Sequence, residues 1–189
     1  MFTDVSLHPK LRSGVGGYLV VPSSFLMGPS RNRTRAEVAE RLVWRRFEGT
    51  SSTELEVRTV LWALEEYQKE KGPGPGHLEV YTDSQCLAGL LKRRPGLEDT
   101  AFISKRTHRP LKNAPLYCRF YQFYDELGFE IIKVAGHTRS SSQNPVHRIF
   151  SWVDREVRKA LTHCRQSDDD GGSPLRVASM ERGRKAVPF

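Results

Sequence analysis

The apolar positions of this chain change period several times, and each change marks an element. Phe2 to Leu7 alternates, with Phe2, Asp4 and Ser6 on one face and Thr3, Val5 and Leu7 on the other. A period of two predicts a strand, and Asp4 lies within it. A basic turn with Pro9 and Gly14 follows, and Gly14 to Val21 reads as a second strand, in a hairpin with the first. Its glycines are too crowded for a helix and lack the setting of a dinucleotide site. Pro22 to Thr34, rich in Ser, Pro and Arg, is expected to be a loop. Arg41 to Phe47 carries Val43, Trp44 and Phe47 and is expected to close a three-stranded meander.

The period then becomes helical. Val57, Val60, Leu61, Leu64 and Tyr67 share one face, behind a helix-start cluster at Thr50-Ser51-Ser52-Thr53. Gly72-Pro73-Gly74-Pro75-Gly76 ends that helix. Leu78 to Thr82 is a short apolar strand that delivers Asp83 at its carboxyl end, and a helix from about Gln85 to Arg93 follows. Pro95 to Pro115 is expected to be irregular, and Leu116 to Leu127 helical, with Tyr117, Phe120, Tyr121 and Tyr124 packing into the core. Phe129 to Val134 is the last strand. A polar loop to Pro145 separates it from a final helix with a stripe at Val146, Ile149, Phe150, Val153, Val157 and Leu161. Residues 164–189 show no periodic apolar pattern and are expected to form a disordered tail behind a domain of residues 1–163. The element order implies an α/β fold: a five-stranded mixed sheet, an antiparallel meander plus parallel strands, flanked by helices.

Charge narrows the partners. Thirty Lys and Arg against 22 Asp and Glu leave a net charge of +8 over 189 residues, and the pI is about 9.6. A basic surface attracts polyanions, nucleic acid first among them. The segment Lys105, Arg106, His108, Arg109 and Lys112 concentrates that charge. Cys86, Cys118 and Cys164 form no CxxC pair, so neither a zinc site nor a disulfide framework is indicated, and reducing conditions fit best. No secretion signal opens the chain, and no apolar run approaches a membrane span. An intracellular location is expected, cytoplasmic or nuclear.

Against that basic background, four acids sit where the layout can bring them together. Asp4 is on the first strand, Glu56 near the start of the first long helix, Asp83 at the end of the fourth strand, and Asp154 on the final helix beside its apolar stripe. Open α/β sheets carry their sites at the carboxyl ends of strands. Carboxylates held together repel each other unless a cation neutralises them. Mg²⁺ needs only a few carboxylates plus water and phosphate, and two such ions about 4 Å apart serve phosphodiester hydrolysis. Local roles compete with this reading. Asp83 or Ser84 fits a helix cap. Thr53-x-x-Glu56 fits a capping box, and so does Ser51-x-x-Glu54 two residues earlier. Asp154 fits an ion pair with Arg158.

Six motifs in order resemble type I ribonuclease H. They are Phe2-Thr3-Asp4-x-Ser6, Gly16-Gly17-Tyr18, the run Thr50 to Glu56 with Trp62-Ala63-Leu64-Glu65, Tyr81-Thr82-Asp83-Ser84-Gln85, Pro110-Leu111-Lys112-Asn113, and Val134-x-Gly136-His137. The resemblance spans residues 1–163 and implies a ribonuclease H-like fold. It implies a metal-dependent endonuclease that hydrolyses the RNA strand of RNA·DNA hybrids as a monomer. Asp4, Glu56, Asp83 and Asp154 would hold two Mg²⁺ ions, with Mn²⁺ an alternative. His137 would assist proton transfer or product release. Ser6, Ser52, Thr53, Ser84, Gln85 and Asn113 would contact substrate. Val5 stands where the family usually has Gly, and the loop after His137 is longer than usual, placing Asp154 seventeen positions beyond it. Asn144 in that loop competes for a role near the site. No separate hybrid-binding domain is expected ahead of the first strand. The alternatives are an exonuclease or integrase-like enzyme, or a non-catalytic nucleic-acid-binding module on the same fold.

Overall fold

One hairpin, a third antiparallel strand and two helical crossovers build one sheet. In the computed structural model, which describes residues 1–27, 34–72, 77–135 and 144–169, β1 (Phe2–His8) pairs antiparallel with β2 (Ser13–Leu19), Phe2 facing Leu19 and His8 facing Ser13. β3 (Val43–Phe47) pairs antiparallel with β2. The crossover helix α3 (Ser52–Lys71) then leads to β4 (Glu79–Thr82), parallel to β1. α6 (Ala114–Leu127) leads to β5 (Glu130–Lys133), parallel to β4. The strand order is β3-β2-β1-β4-β5.

Alternation along the strands splits the core in two. On one face Tyr18, Phe47 and Val80 meet Leu55, Val60 and Leu64 of α3 and Phe120 and Phe123 of α6. On the other, Phe2, Val15, Leu19 and Tyr81 meet Ile149, Phe150, Val153 and Val157 of α7 (Pro145–Asp169). Phe2 stacks on Tyr81 with ring centroids 4.7 Å apart, which ties β1 to β4. Both helices approach β2 closely because it carries glycine on both faces. A Cβ on Gly16 would come within 1.9 Å of Thr59 Oγ1 of α3, and one on Gly17 within 2.6 Å of Val157 Cγ2 of α7.

Three expectations are corrected. The stretch Pro22 to Thr34 contains a short helix, α1 (Ser23–Met27), and α2 (Arg35–Arg41) follows it. Thr34 Oγ1 accepts the Glu37 N–H at 3.2 Å, Glu37 pairs with Arg41, and Val38 is fully buried among the residues packed on α7. The capping pattern Thr34-x-x-Glu37 was a signal for α2. Pro95 does not start an irregular segment either. α4 (Gln85–Ala88) is followed by α5 (Leu90–Asp99), with Pro95 inside it. Fully buried Leu90 and a two-pronged Arg94–Asp125 ion pair to α6, at 2.5 and 2.8 Å, hold that helix despite the lost backbone bond. Finally, α7 continues to Asp169, beyond the expected domain end at residue 163; residues 170–189 lie outside the described residues.

Candidate active site

Parallel pairing of β1 and β4 sets Phe2 opposite Tyr81. Two residues further on, Asp4 lies on β1 and Asp83 directly follows the end of β4. α3 crosses one face of the sheet there and α7 the other. A small recess results, lined by Thr3, Asp4, Val5, Glu56, Thr59, Thr82, Asp83 and Leu87. The fold therefore brings Asp4, Glu56 and Asp83 to one recess. Asp154 approaches from α7, close enough for its charge to act on Asp4.

Asp4 is the buried member of the group, 7% exposed. Burial pushes its carboxyl well above the usual carboxylate range, and the charges of Asp83 and Asp154 push it further. The Val5 N–H and the Arg158 guanidinium act in the opposite direction. Its Oδ2 has no hydrogen-bond partner among the described residues. A buried oxygen without a donor, pressed by two further carboxylates, has the chemistry of a hard-cation ligand. Asp83 is exposed, so the group opens to solvent.

Glu56 and Asp154 are engaged by neighbouring side chains. Glu56 accepts from Ser84 Oγ at 2.5 Å and from Ser52 Oγ at 3.3 Å. Asp154 Oδ1 accepts from Arg158 Nε at 2.7 Å. As the side chains stand, no three His, Cys, Asp or Glu among the described residues form a ready-made cation cage. The donor set fits a divalent ion in kind, with Asp4 poised and Glu56 and Asp154 held by local partners. Glu56 does not serve a capping box: Ser51 is the N-cap of α3 without a side-chain bond, and Glu54 pairs with Lys112 at 2.7 Å.

Ser84 has two jobs. Besides bonding Glu56, its Oγ accepts the Leu87 N–H at 3.2 Å and so caps α4. It is buried rather than turned to solvent. Ser6 is half-buried on β1 opposite Val15, and Thr53 half-buried at the start of α3. Gln85 is exposed and accepts from Lys133 Nζ at the end of β5. Asn113 leads into α6 and is hydrogen-bonded to Tyr117, whose hydroxyl also meets Cys86 Sγ at 3.8 Å. Asn144 Oδ1 accepts the Val146 N–H at 2.9 Å at the start of α7. His137 lies outside the described residues. Lys105, Arg106 and Arg109 are exposed on a tight turn closed by the Ile103–Pro110 bridge and the Ser104 N–H to Arg109 carbonyl bond, 2.9 Å. Lys133 at the rim carries no local sequence signal, because only the β4–β5 pairing brings it to Gln85. No helix among the described residues is long and apolar enough to cross a membrane.

No family model matches the chain, and no curated protein matches it. Solved structures do. The PFV RNase H domain superposes with a TM-score of 0.56 at 17% identity, over 86% of this chain and 93% of that one. LC9-RNase H1, described as a type 1 RNase H with the type 2 active-site motif, gives 0.58 at 16% identity, over 86% and 71%. The foamy viral protease-reverse transcriptase in complex with an RNA/DNA hybrid gives 0.56 at 10% identity, over 86% of this chain and 19% of that one. The fold is ribonuclease H-like, a five-stranded mixed sheet flanked by helices.

Proposed function

We propose that this ribonuclease H-like chain is a metal-dependent endonuclease that hydrolyses the RNA strand of RNA·DNA hybrids. The observation that carries the reading is Asp4: a buried carboxyl with an unpartnered oxygen, pressed by Asp83 and Asp154 at the point where β4 ends. The motifs around it and the solved neighbours, which include an RNase H domain and a polymerase bound to an RNA/DNA hybrid, support the substrate.

Asp4, Glu56, Asp83 and Asp154 would hold Mg²⁺ or Mn²⁺. Bound there, two such ions supply an activated water and a stabilised leaving oxygen for phosphodiester cleavage. The chain's own side chains do the rest. Asp4 is fixed by burial, so its position does not depend on substrate. Ser84 and Ser52 orient Glu56. Asp83 stands at the open side, where a phosphate backbone arrives. Lys133 and Gln85 flank that opening, and Lys105, Arg106 and Arg109 add phosphate contacts. Asn113 and Thr53 contact the strands, and His137 moves a proton or eases product release.

The test is to incubate the protein with labelled RNA·DNA, RNA·RNA and DNA·DNA duplexes, with and without Mg²⁺. The expected result is cleavage of the RNA strand of the hybrid alone, and only with the metal. Asp83→Asn should lower the rate by about 10³-fold, the scale of several kcal/mol of lost charge stabilisation, while circular dichroism and hybrid binding stay unchanged. Full activity in that variant would remove Asp83 from the mechanism. A second reading, a nucleic-acid-binding module without catalysis, is favoured by the bond between Arg158 and Asp154. Hybrid binding with no cleavage in either metal would establish it instead.

A further inference from the structure

We propose that Arg158 is a positioning residue of the carboxylate site, which holds Asp154 in the metal-free protein and must release it for a divalent cation to bind, so that it sets the metal affinity. The inference rests on the metal-dependent reading of the site. Arg158 lies one turn after Asp154 on α7 and donates from Nε to its Oδ1 at 2.7 Å. The side chains are 54% and 25% exposed respectively, so the carboxylate is the less exposed partner of the pair. Both charges reach Asp4 on β1: Asp154 raises the cost of ionising it and Arg158 lowers that cost. Asp83 adds to the repulsion. Arg158 is thus a cation already in place beside a group of acids.

A guanidinium and a divalent ion compete for the same oxygens. While Arg158 holds Asp154, fewer carboxylates can close on an arriving ion, which agrees with the lack of a ready-made cage among the described residues. The apparent affinity is the intrinsic one reduced by the fraction of molecules whose Asp154 is released. Ion pairs at this spacing and exposure are weak, so the hold is breakable and the expected effect is modest.

The experiment titrates Mn²⁺ and Mg²⁺ into the whole chain by calorimetry and follows thermal unfolding with and without each metal. Three variants are compared with the unaltered protein. Arg158→Gln removes the competing cation, Arg158→Lys keeps a charge, and Arg155→Gln makes the same change in net charge at an exposed site on the same helix. Arg158→Gln should bind Mn²⁺ about three- to fivefold more tightly, unfold at a lower temperature without metal, and gain more on adding it. Arg158→Lys and Arg155→Gln should stay within about twofold of the unaltered protein, a spread typical of the loss of one surface charge. Equal or weaker metal binding by Arg158→Gln, or equal tightening by Arg155→Gln, would overturn the inference while leaving the metal site itself intact. Absence of any metal binding by all four proteins would overturn the inference and the metal-dependent reading together.

Discussion

A carboxyl group buried without a full set of donors keeps its proton more firmly than one in water, and Asp4 is in that position. The consequence for stability has a definite sign. With the folded value raised above the unfolded one, near 3.9, the folded state binds the extra proton between the two values. Stability is then highest below the unfolded value and falls as pH rises toward the raised folded value, beyond which the cost stays constant. Asp4→Asn lacks this fall. In EDTA at pH 7 the variant should therefore melt a few degrees above the unaltered protein, and the gap should close as the pH is lowered toward 4. Saturating Mg²⁺ should reverse the order, since only the carboxylate gains from the ion. Parallel melting curves against pH would show that Asp4 carries no such cost.

Among the elements, the contact between β2 and α3 controls the site from a distance. Gly16 lies under Thr59, and Thr59 is one turn from Glu56 on the same helix. A methyl at Gly16 would sit 1.9 Å from Thr59 Oγ1 and 2.9 Å from its Cβ. The branched Thr59 is fully buried and has nowhere to turn, so α3 itself has to move. Gly16→Ala should cost about 1–3 kcal/mol, the usual range for overpacking, and displace Glu56 from Ser84. Adding Thr59→Ala should restore part of the loss, which a double-mutant cycle on chemical denaturation measures. Additive effects of the two changes would mean that the contact does not couple them. The start of α4 is a second such junction, because Ser84 caps that helix and bonds Glu56 with one oxygen.

For the whole molecule, charge is divided between function and background. The chain carries a net charge of +8, and within it Lys105, Arg106 and Arg109 are presented together on a turn held by backbone bonds. If that turn lies along the nucleic acid, each phosphate contact releases a counterion. Replacing all three by Gln should then flatten the plot of log affinity against log salt by about 2–3 units, at about 0.9 per contact. Lys112 is excluded from this set because it is committed to Glu54. An unchanged slope would place the turn away from the substrate.

Much of this was legible in the sequence because it is written in local periods. Alternation at Phe2–Leu7 and the 3.6-residue stripes of Val57–Tyr67 and Val146–Leu161 each answer to one buried face, so those elements and the order of the five strands follow from the chain alone, whereas α1, α2 and the reach of α5 past Pro95 did not. The motif residues also fall where the order puts them, at strand ends and helix starts. Other features depend on who meets whom across the fold. Pro95 sits inside a helix because Arg94 grips Asp125 of α6, a bond 31 residues away in sequence. Lys133 reaches Gln85 only through the register of β5 on β4. Whether Glu56 served a cap or the recess was decided by Ser84, 28 residues on. Asp154 bonds Arg158 four residues on, and its charge also acts on Asp4 across the fold. The sequence determined which groups this protein has and on which elements they ride. Which of them share a partner was left to tertiary packing, because a hydrogen bond or a charge acts through distance in space, and separation along the chain does not determine that distance.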